Sequence, residues 1–143
     1  AVQTAQERAI AAIRPGVKAR DVDAVARGSL EKDGFGSAFS HGLGHGIGLE
    51  VHDRPHPWYG AGSFQAGDAF TIEPGIYVSR KLLEILPDTP KNRAMIAKVR
   101  PAVERYQDIG VRIEDDYLIT ERGAEWLSRA PREIAEIEAA MAP

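Results

Sequence analysis

The sequence contains no cysteine among its 143 residues, and only 7% of the residues are aromatic. A chain without thiols has no disulfide framework, no thiolate metal site and no cysteine nucleophile. Its apolar runs are shorter than the roughly 18 residues that a membrane-spanning helix needs, so we expect no membrane partner. Because a chain without cysteine also suits a reducing compartment, we expect a cytoplasmic protein.

Positive charge is also scarce, with 18 Lys and Arg against 21 Asp and Glu and a net charge of −3. A basic patch is the usual electrostatic signature of nucleic-acid binding, so we expect no nucleic-acid partner. The first ten residues, AVQTAQERAI, lack the basic-then-apolar pattern of a secretion signal. The remaining composition, 43% hydrophobic, is typical of one globular domain with a buried core.

Apolar periodicity and turn residues divide the chain into helices and strands. We predict, in chain order, a helix over 1–14, a helix over 20–33, a strand over 69–78 broken at Pro74-Gly75, a solvated helical insertion over 79–109, a strand over 110–120, and a last helix with Pro131 at its first position. This order indicates an α+β fold in which helices cover one face of a sheet.

All four histidines lie between His41 and His56, in a stretch with glycine at positions 42, 44, 46 and 48. Alternate glycines weaken an extended segment, because they supply no packing and lose more backbone entropy than other residues. The pattern therefore indicates a close approach by a ligand or another strand. In an extended chain His41 and His45 project from the same face, whereas His52 reaches that face only if the chain bends. We predict a metal-binding or catalytic role for at least one histidine, and we expect His56 to lie in a loop or at the rim of a pocket.

Two acidic residues have apolar neighbours, Glu73 in FTIEPG and Glu114 in VRIEDD. Burying an unpaired carboxylate costs several kcal/mol, so each is expected to pair with a cation. A salt bridge, for instance to Arg112, is one explanation, and alternation alone does not separate Glu114 from Asp116. A metal site is the other explanation, since imidazole and carboxylates without thiolate suit Mn, Fe, Co or Zn. Such ions activate water by lowering its pKa to about 7.

Three segments resemble the signature strands of the Xaa-Pro peptidases, the group of aminopeptidase P and prolidase. They are HGLGHGIGLEVHD at 41–53, FTIEPGIY at 70–77 and GVRIEDDYLIT at 110–120. Methionine aminopeptidases share the GHGIG element, but they typically read EPM in place of EPG and lack the RIEDD strand. The resemblance implies the C-terminal half of a pita-bread fold, a curved antiparallel sheet with helices on its outer face.

The resemblance also implies a ligand set. His45, Glu73 and Glu114 match metal ligands of the family, with Glu73 also handling the proton of the attacking water and Glu114 bridging the two metals. The implied cofactor is a pair of divalent ions, manganese in first place, with cobalt and zinc as alternatives. We expect these ions to support hydrolysis of the peptide bond before proline in an Xaa-Pro peptide.

The remaining matches concern the substrate. His41 and His52 match histidines that hold the substrate and stabilise the tetrahedral intermediate, and Arg112 matches an arginine that supports the site. Dipeptide-preferring relatives often hold the substrate's C-terminal carboxylate with an arginine ahead of the TIEPG strand. The stretch 55–72 contains no arginine, and Arg54 is the nearest, so an aminopeptidase acting on longer substrates is favoured over a dipeptidase.

Two further ligands of the family, both aspartates on a hairpin, have no counterpart in this sequence. The early acids lie instead on a helical pattern: Asp21, Asp23, Glu31 and Asp33. Because the first residue is Ala1 and three of five ligands are present, we expect residues 1–143 to be the C-terminal part of a catalytic domain. The expected partner is the N-terminal half of the same protein, with a homodimer as a further expectation, and we expect the isolated chain to be inactive.

Two other functions fit the same fold. One is a non-catalytic pita-bread module that binds a protein or peptide partner, and the other is a metal-independent amidinohydrolase similar to creatinase. Fold alone does not decide between a peptidase and either alternative. Both alternatives would be free to lose the ligand residues, so the presence of His45, Glu73 and Glu114 favours the metallopeptidase.

Overall fold

Two helices open the chain in the computed structural model, which describes residues 1–54 and 56–142. They are α1 (Val2–Ala12) and α2 (Ala19–Lys32), within one or two residues of the predicted spans. Their contact is lined by small side chains that are fully buried, Ala5, Ala9, Val22 and Ala26. Small residues at a helix contact let the two axes approach closely, and this pair forms one wall of the core.

Among the described residues, five short strands form two antiparallel sheets. They are β1 (Ala69–Ile72), β2 (Gly75–Tyr77), β3 (Gly110–Arg112), β4 (Asp115–Thr120) and β5 (Gly123–Trp126). The larger sheet has the order β1-β4-β5, and the smaller sheet pairs β2 with β3. The break predicted at Pro74 is confirmed, whereas the single strand predicted over 110–120 is divided in two and β5 was not predicted.

A gap separates the two sheets. The β1–β4 ladder ends at the pair formed by Ile72 and Asp115, and β2 begins at Gly75. Residues 73–74 and 113–114 lie in this gap, on facing segments, and one backbone hydrogen bond of 3.3 Å crosses it. The proline at 74 has no N–H to donate, which explains why the ladder is interrupted. The two ladders keep the same register across the gap, so position 73 faces position 114 and the two acids lie on the same face.

Over the described range 56–142, the insertion and the C-terminal segment contain three further α-helices: α3 (Lys81–Glu84), α4 (Pro90–Tyr106) and α5 (Ile134–Met141). The described side chains of α4 include no buried residue, as expected of a solvated insertion. The placement of Pro131 as the first residue of the last helix is wrong, because Glu133 is the N-cap and α5 starts at Ile134. In the part of the chain that the structure describes, no helix is long and apolar enough to cross a membrane.

The core lies between the helix pair and the larger sheet. Its largest fully buried side chains include Phe64 and Phe70, whose ring centroids are 5.2 Å apart. Burial of a side chain of this size contributes about 1.5–3 kcal/mol. Leu43 reaches the same core from the glycine-rich segment, which anchors that segment against β1.

Candidate metal centre

The glycine-rich segment lies against β1 and runs antiparallel to it. Three backbone hydrogen bonds join them: Ile47 N–H to the Ala69 carbonyl (3.0 Å), Thr71 N–H to the His45 carbonyl (2.9 Å) and Glu73 N–H to the Leu43 carbonyl (2.8 Å). A Cβ atom at Gly44 would overlap the carbonyl oxygen of Thr71, and one at Gly46 would lie 2.6 Å from the ring of His56. The prediction that these glycines mark a close approach by another part of the chain is confirmed.

This pairing brings three predicted ligands together. Nitrogen or oxygen atoms of His45, Glu73 and Glu114 all lie within 4.8 Å of one another. His45 Nε2 is 3.4 Å from Glu73 Oε1 and 3.9 Å from Glu114 Oε1. His45 and Glu73 are buried, but the side chain of Glu114 is 43% exposed. The expectation that both acids are buried is therefore wrong for Glu114, because it lies in the gap beside the exposed strand β3.

The orientation of His45 fits a metal ligand. Its Nδ1 atom lies 3.1 Å from the carbonyl oxygen of Gly46. A carbonyl oxygen only accepts hydrogen bonds, so Nδ1 donates to it, and Nε2 is the nitrogen that faces the carboxylates. Metal-bound histidines usually donate their other nitrogen in this way. One imidazole and two carboxylates form a donor set that fits Mn, Fe, Co or Zn.

Arg112 lies across the two carboxylates. Its Nη1 atom is 3.1 Å from Glu73 Oε2 and 3.8 Å from Glu114 Oε2, and its Nε donates to the hydroxyl of Tyr77 at 2.6 Å. Burial acts to lower the pKa of Arg112, but the Tyr77 hydrogen bond and the charges of Tyr77, Glu73 and Glu114 together raise it. The salt bridge considered from the sequence is therefore present, and it lies at the edge of the cluster of ligand atoms.

His41 and His52 flank the ligand cluster. Nε2 of His41 is 3.1 Å from the Tyr77 hydroxyl and 3.4 Å from a guanidinium nitrogen of Arg112. The chain bends and turns over 48–52, and the ring centroid of His52 lies 4.1 Å from that of His45. The bend that His52 required is thus present, and the structure brings all six predicted site residues into one region.

Sequence reasoning missed residues that hold this region together. The Thr71 hydroxyl accepts from the His45 N–H at 3.0 Å and donates to Glu73 Oε1 at 3.1 Å. Arg27 donates to the carbonyl oxygens of Phe39 and His41, at 3.0 and 2.5 Å. Two features of the sequence could have identified these residues. One is the hydroxyl of Thr71 two positions before Glu73, and the other is the spacing of Asp23 and Arg27, which places them one turn apart on α2.

The loop after the ligand segment packs against the core and away from the ligand atoms. The ring of His56 lies behind Gly46, with its centroid 6.0 Å from that of Phe64. Burial lowers the pKa of His56, against an opposing effect of the Asp68 charge. Arg54 stacks on the Tyr59 ring at 4.1 Å. His56 therefore lies in a loop and packs behind Gly46.

The likeness to known proteins covers most of the chain. The model of metallopeptidase family M24 matches residues 1–121. The chain belongs to this family. Among M24 relatives, an Xaa-Pro dipeptidase of Pyrococcus furiosus is 38% identical over 134 residues, which make up 93% of this chain and 31% of that protein. The chain thus spans about 30% of the length of the curated relatives that it matches.

Solved structures of M24 peptidases have the same fold. The prolidase of Pyrococcus horikoshii superposes with a TM-score of 0.68 at 35% identity, over 93% of this chain and 31% of that one. A protein described as a putative aminopeptidase P from Bacillus anthracis superposes with a TM-score of 0.71 at 28% identity, over 96% and 29%. The resemblance to the Xaa-Pro peptidases and the α+β pita-bread fold are confirmed.

Proposed function

We propose that this chain forms part of an Xaa-Pro peptidase, a hydrolase that cleaves the peptide bond before proline with the help of divalent metal ions. The observation that carries the proposal is the convergence of His45, Glu73 and Glu114 ligand atoms within 4.8 Å. The names of the relatives, Xaa-Pro dipeptidase and aminopeptidase P, support the substrate class. Metallopeptidases of this family use divalent ions, and one imidazole with two carboxylates fits manganese, cobalt or zinc. Manganese is the ion that the resemblance to the family implies first.

Three side chains of this molecule would hold the metal. His45 would bind through Nε2, since its Nδ1 proton is engaged by the Gly46 carbonyl. Glu73 and Glu114 would bind through the carboxylate oxygens that face His45. When bound, divalent ions lower the pKa of coordinated water and polarise a carbonyl group.

The other residues of the region would act on the substrate and on protons. The Glu73 carboxylate, held by the Thr71 hydroxyl, would accept the proton of the attacking water. His52, next to His45, and His41, next to Tyr77, would donate hydrogen bonds to the substrate and to the developing oxyanion. Arg112 keeps positive charge beside the buried Glu73 carboxylate and fixes its orientation.

A further part of the protein would complete this site. A two-metal centre needs more donors than one imidazole and two carboxylates supply, and Glu114 and Arg112 have about two-fifths of their side-chain surface exposed. An apolar cavity of about 820 Å³ borders both residues. We place the N-terminal half of the same protein, carrying two aspartate ligands, on this open side.

Hydrolysis assays test the proposal. The complete catalytic domain containing this chain, loaded with Mn²⁺, is expected to hydrolyse Ala-Pro and Ala-Pro-Ala and to leave Ala-Ala-Ala intact. The tripeptide is expected to be the better substrate, because the stretch 55–72, ahead of the TIEPG strand, contains no arginine to hold a dipeptide carboxylate. The Glu73→Gln variant is expected to lose hydrolysis, since an amide does not accept the proton. Equal cleavage of Ala-Ala-Ala would overturn the proline specificity, and hydrolysis by the 143-residue chain alone would overturn the need for a partner half.

A further inference from the structure

A glutamine is completely buried on the inner face of α1. Gln6 has no solvent-exposed surface, and it shares this face with Val2, Ala5 and Ala9. A buried amide needs hydrogen-bond partners for its donors and its acceptor, because an unsatisfied polar group costs roughly 1–3 kcal/mol. The position of those partners explains why a polar residue lies in a face otherwise formed by small apolar side chains.

The partners of Gln6 are the residues next to the two carboxylate ligands. Its Nε2 donates to the Ile72 carbonyl at 3.1 Å and to Asp115 Oδ2 at 3.0 Å, with a longer contact of 3.4 Å to the Ile113 carbonyl. Ile72 precedes Glu73, while Ile113 and Asp115 lie on either side of Glu114. One amide group therefore contacts both segments that carry the carboxylate ligands, from the side of the helices.

These contacts fall where the sheet itself provides little support. The β1–β4 ladder ends at the pair formed by Ile72 and Asp115, and the ligands lie in the gap beyond it. In that gap one backbone hydrogen bond, from Ile113 N–H to the Pro74 carbonyl, joins the two segments. The Gln6 amide supplies hydrogen bonds at the edge of the gap, so it can fix the separation of the two segments.

The Asp115 side chain is the second part of the same network. It is 1% exposed, and it accepts from Trp126 Nε1 at 2.9 Å and from the Ser128 hydroxyl at 3.0 Å. Arg132 Nη1 lies 3.3 Å from Asp115 and also donates to the Gln6 amide oxygen at 3.0 Å. Both polar ends of Gln6 are therefore satisfied, and a fully satisfied buried network is rigid.

We propose that Gln6 is a positioning residue that sets the distance between the Glu73 and Glu114 carboxylates and so the metal affinity of the site. The inference rests on the proposed metal-binding function. Gln6 does not touch the ligand atoms and acts through the backbone of Ile72 and Ile113 and through Asp115. Outer residues that orient metal ligands typically change metal affinity by 10–100-fold when they are mutated.

The test uses the complete catalytic domain that contains this chain. Gln6→Leu keeps the approximate volume and removes every amide hydrogen bond. Calorimetric titration with Mn²⁺ is expected to give binding at least about tenfold weaker than in the wild type. With Co²⁺ as the probe, the visible spectrum of the bound ion is expected to change shape. Loss of stability alone would reduce the bound fraction without changing the spectrum of the ion that remains.

The matched control is Ser29→Ala, which removes another hydrogen bond of a buried side chain, the one that Ser29 on α2 accepts from Arg8 on α1 at 2.9 Å. It is expected to leave Mn²⁺ affinity unchanged. If Gln6→Leu does not fold, Gln6→Met replaces it. Unchanged affinity and an unchanged Co²⁺ spectrum in the Gln6 variant would overturn the inference. If the wild type binds no ion, the proposed metal-binding function fails. Crystal structures in which the Glu73 and Glu114 carboxylates keep their positions in the Gln6→Leu variant would separately overturn the positioning role.

Discussion

Alanine at position 44 would place a methyl group within overlap distance of the Thr71 carbonyl oxygen. Ordinary C···O contacts in sheets are about 3.3–3.6 Å, and a backbone oxygen in β1 cannot rotate away as a flexible side chain would. The glycine-rich segment must therefore move from β1, which lengthens the hydrogen bonds on both sides of His45. Overpacking of this kind costs about 1–3 kcal/mol.

Gly42 provides the matched control, because a Cβ atom there would meet no atom within 4 Å. Both substitutions lower the conformational entropy of the unfolded chain by the same amount. This effect stabilises the folded state by about 0.4–1 kcal/mol where its backbone tolerates an alanine. This contribution cancels when the two variants are compared. The difference in unfolding free energy between Gly42→Ala and Gly44→Ala therefore measures the clash alone, about 1–3 kcal/mol.

Urea unfolding of the two variants, followed by tryptophan fluorescence, measures this difference. With a typical slope of about 1–3 kcal/mol per molar urea, a clash of about 2 kcal/mol lowers the midpoint of Gly44→Ala by roughly 1 M relative to Gly42→Ala. Gly44→Ala is also expected to bind Mn²⁺ more weakly in the complete domain, since His45 follows directly. Indistinguishable midpoints would refute the close approach of the glycine-rich segment to β1.

Two further predictions concern other parts of the chain. Arg27→Met is expected to destabilise the fold by about 1–2 kcal/mol in urea unfolding, because it removes charged hydrogen bonds to two carbonyls. The control Arg20→Met breaks an exposed ion pair with Asp21 at 3.7 Å and is expected to lower the unfolding free energy by less than about 0.5 kcal/mol. Equal losses of unfolding free energy in the two variants would contradict the role of Arg27. The pKa of Tyr117 is raised to about 12, first by burial and then by the negative charge of Asp115, while the charge and hydrogen bond of Arg132 act to lower it. Its stabilising contribution is therefore complete below pH 10 and disappears as the pH rises through 12. Near-UV absorbance should report one tyrosine titrating near pH 12, and full titration by pH 11 would contradict this.

Periodicity was sufficient to predict α1 and α2, because each has an uninterrupted helical pattern. The division of the segment 110–120 was not visible, because GVRIEDDYLIT alternates without proline or glycine at the break. That break depends on the facing proline at 74 and on which residues pair across the sheet. The four-residue strand β5 is too short and too mixed in composition to be separated from a turn.

The three ligand residues could be predicted from local sequence motifs, whereas the helices were predicted from periodicity. His45, Glu73 and Glu114 stand in local patterns that identify them, although the residues alone did not separate Glu114 from Asp116. Their supports come from distant positions, as Gln6 is 66 residues from Ile72 and 109 from Asp115. A glutamine on a helix has no local sequence signal for a role between two strands, so tertiary packing alone identifies it.

Metal content of the complete catalytic domain tests the central claim most directly. After dialysis against Mn²⁺ and removal of free metal, elemental analysis is expected to find two ions per domain in the wild type. Glu73→Ala and Glu114→Ala are each expected to lose bound metal, because each removes a carboxylate from the cluster of ligand atoms. One ion or none in the wild type, or full metal content in both variants, would contradict the assignment of this site.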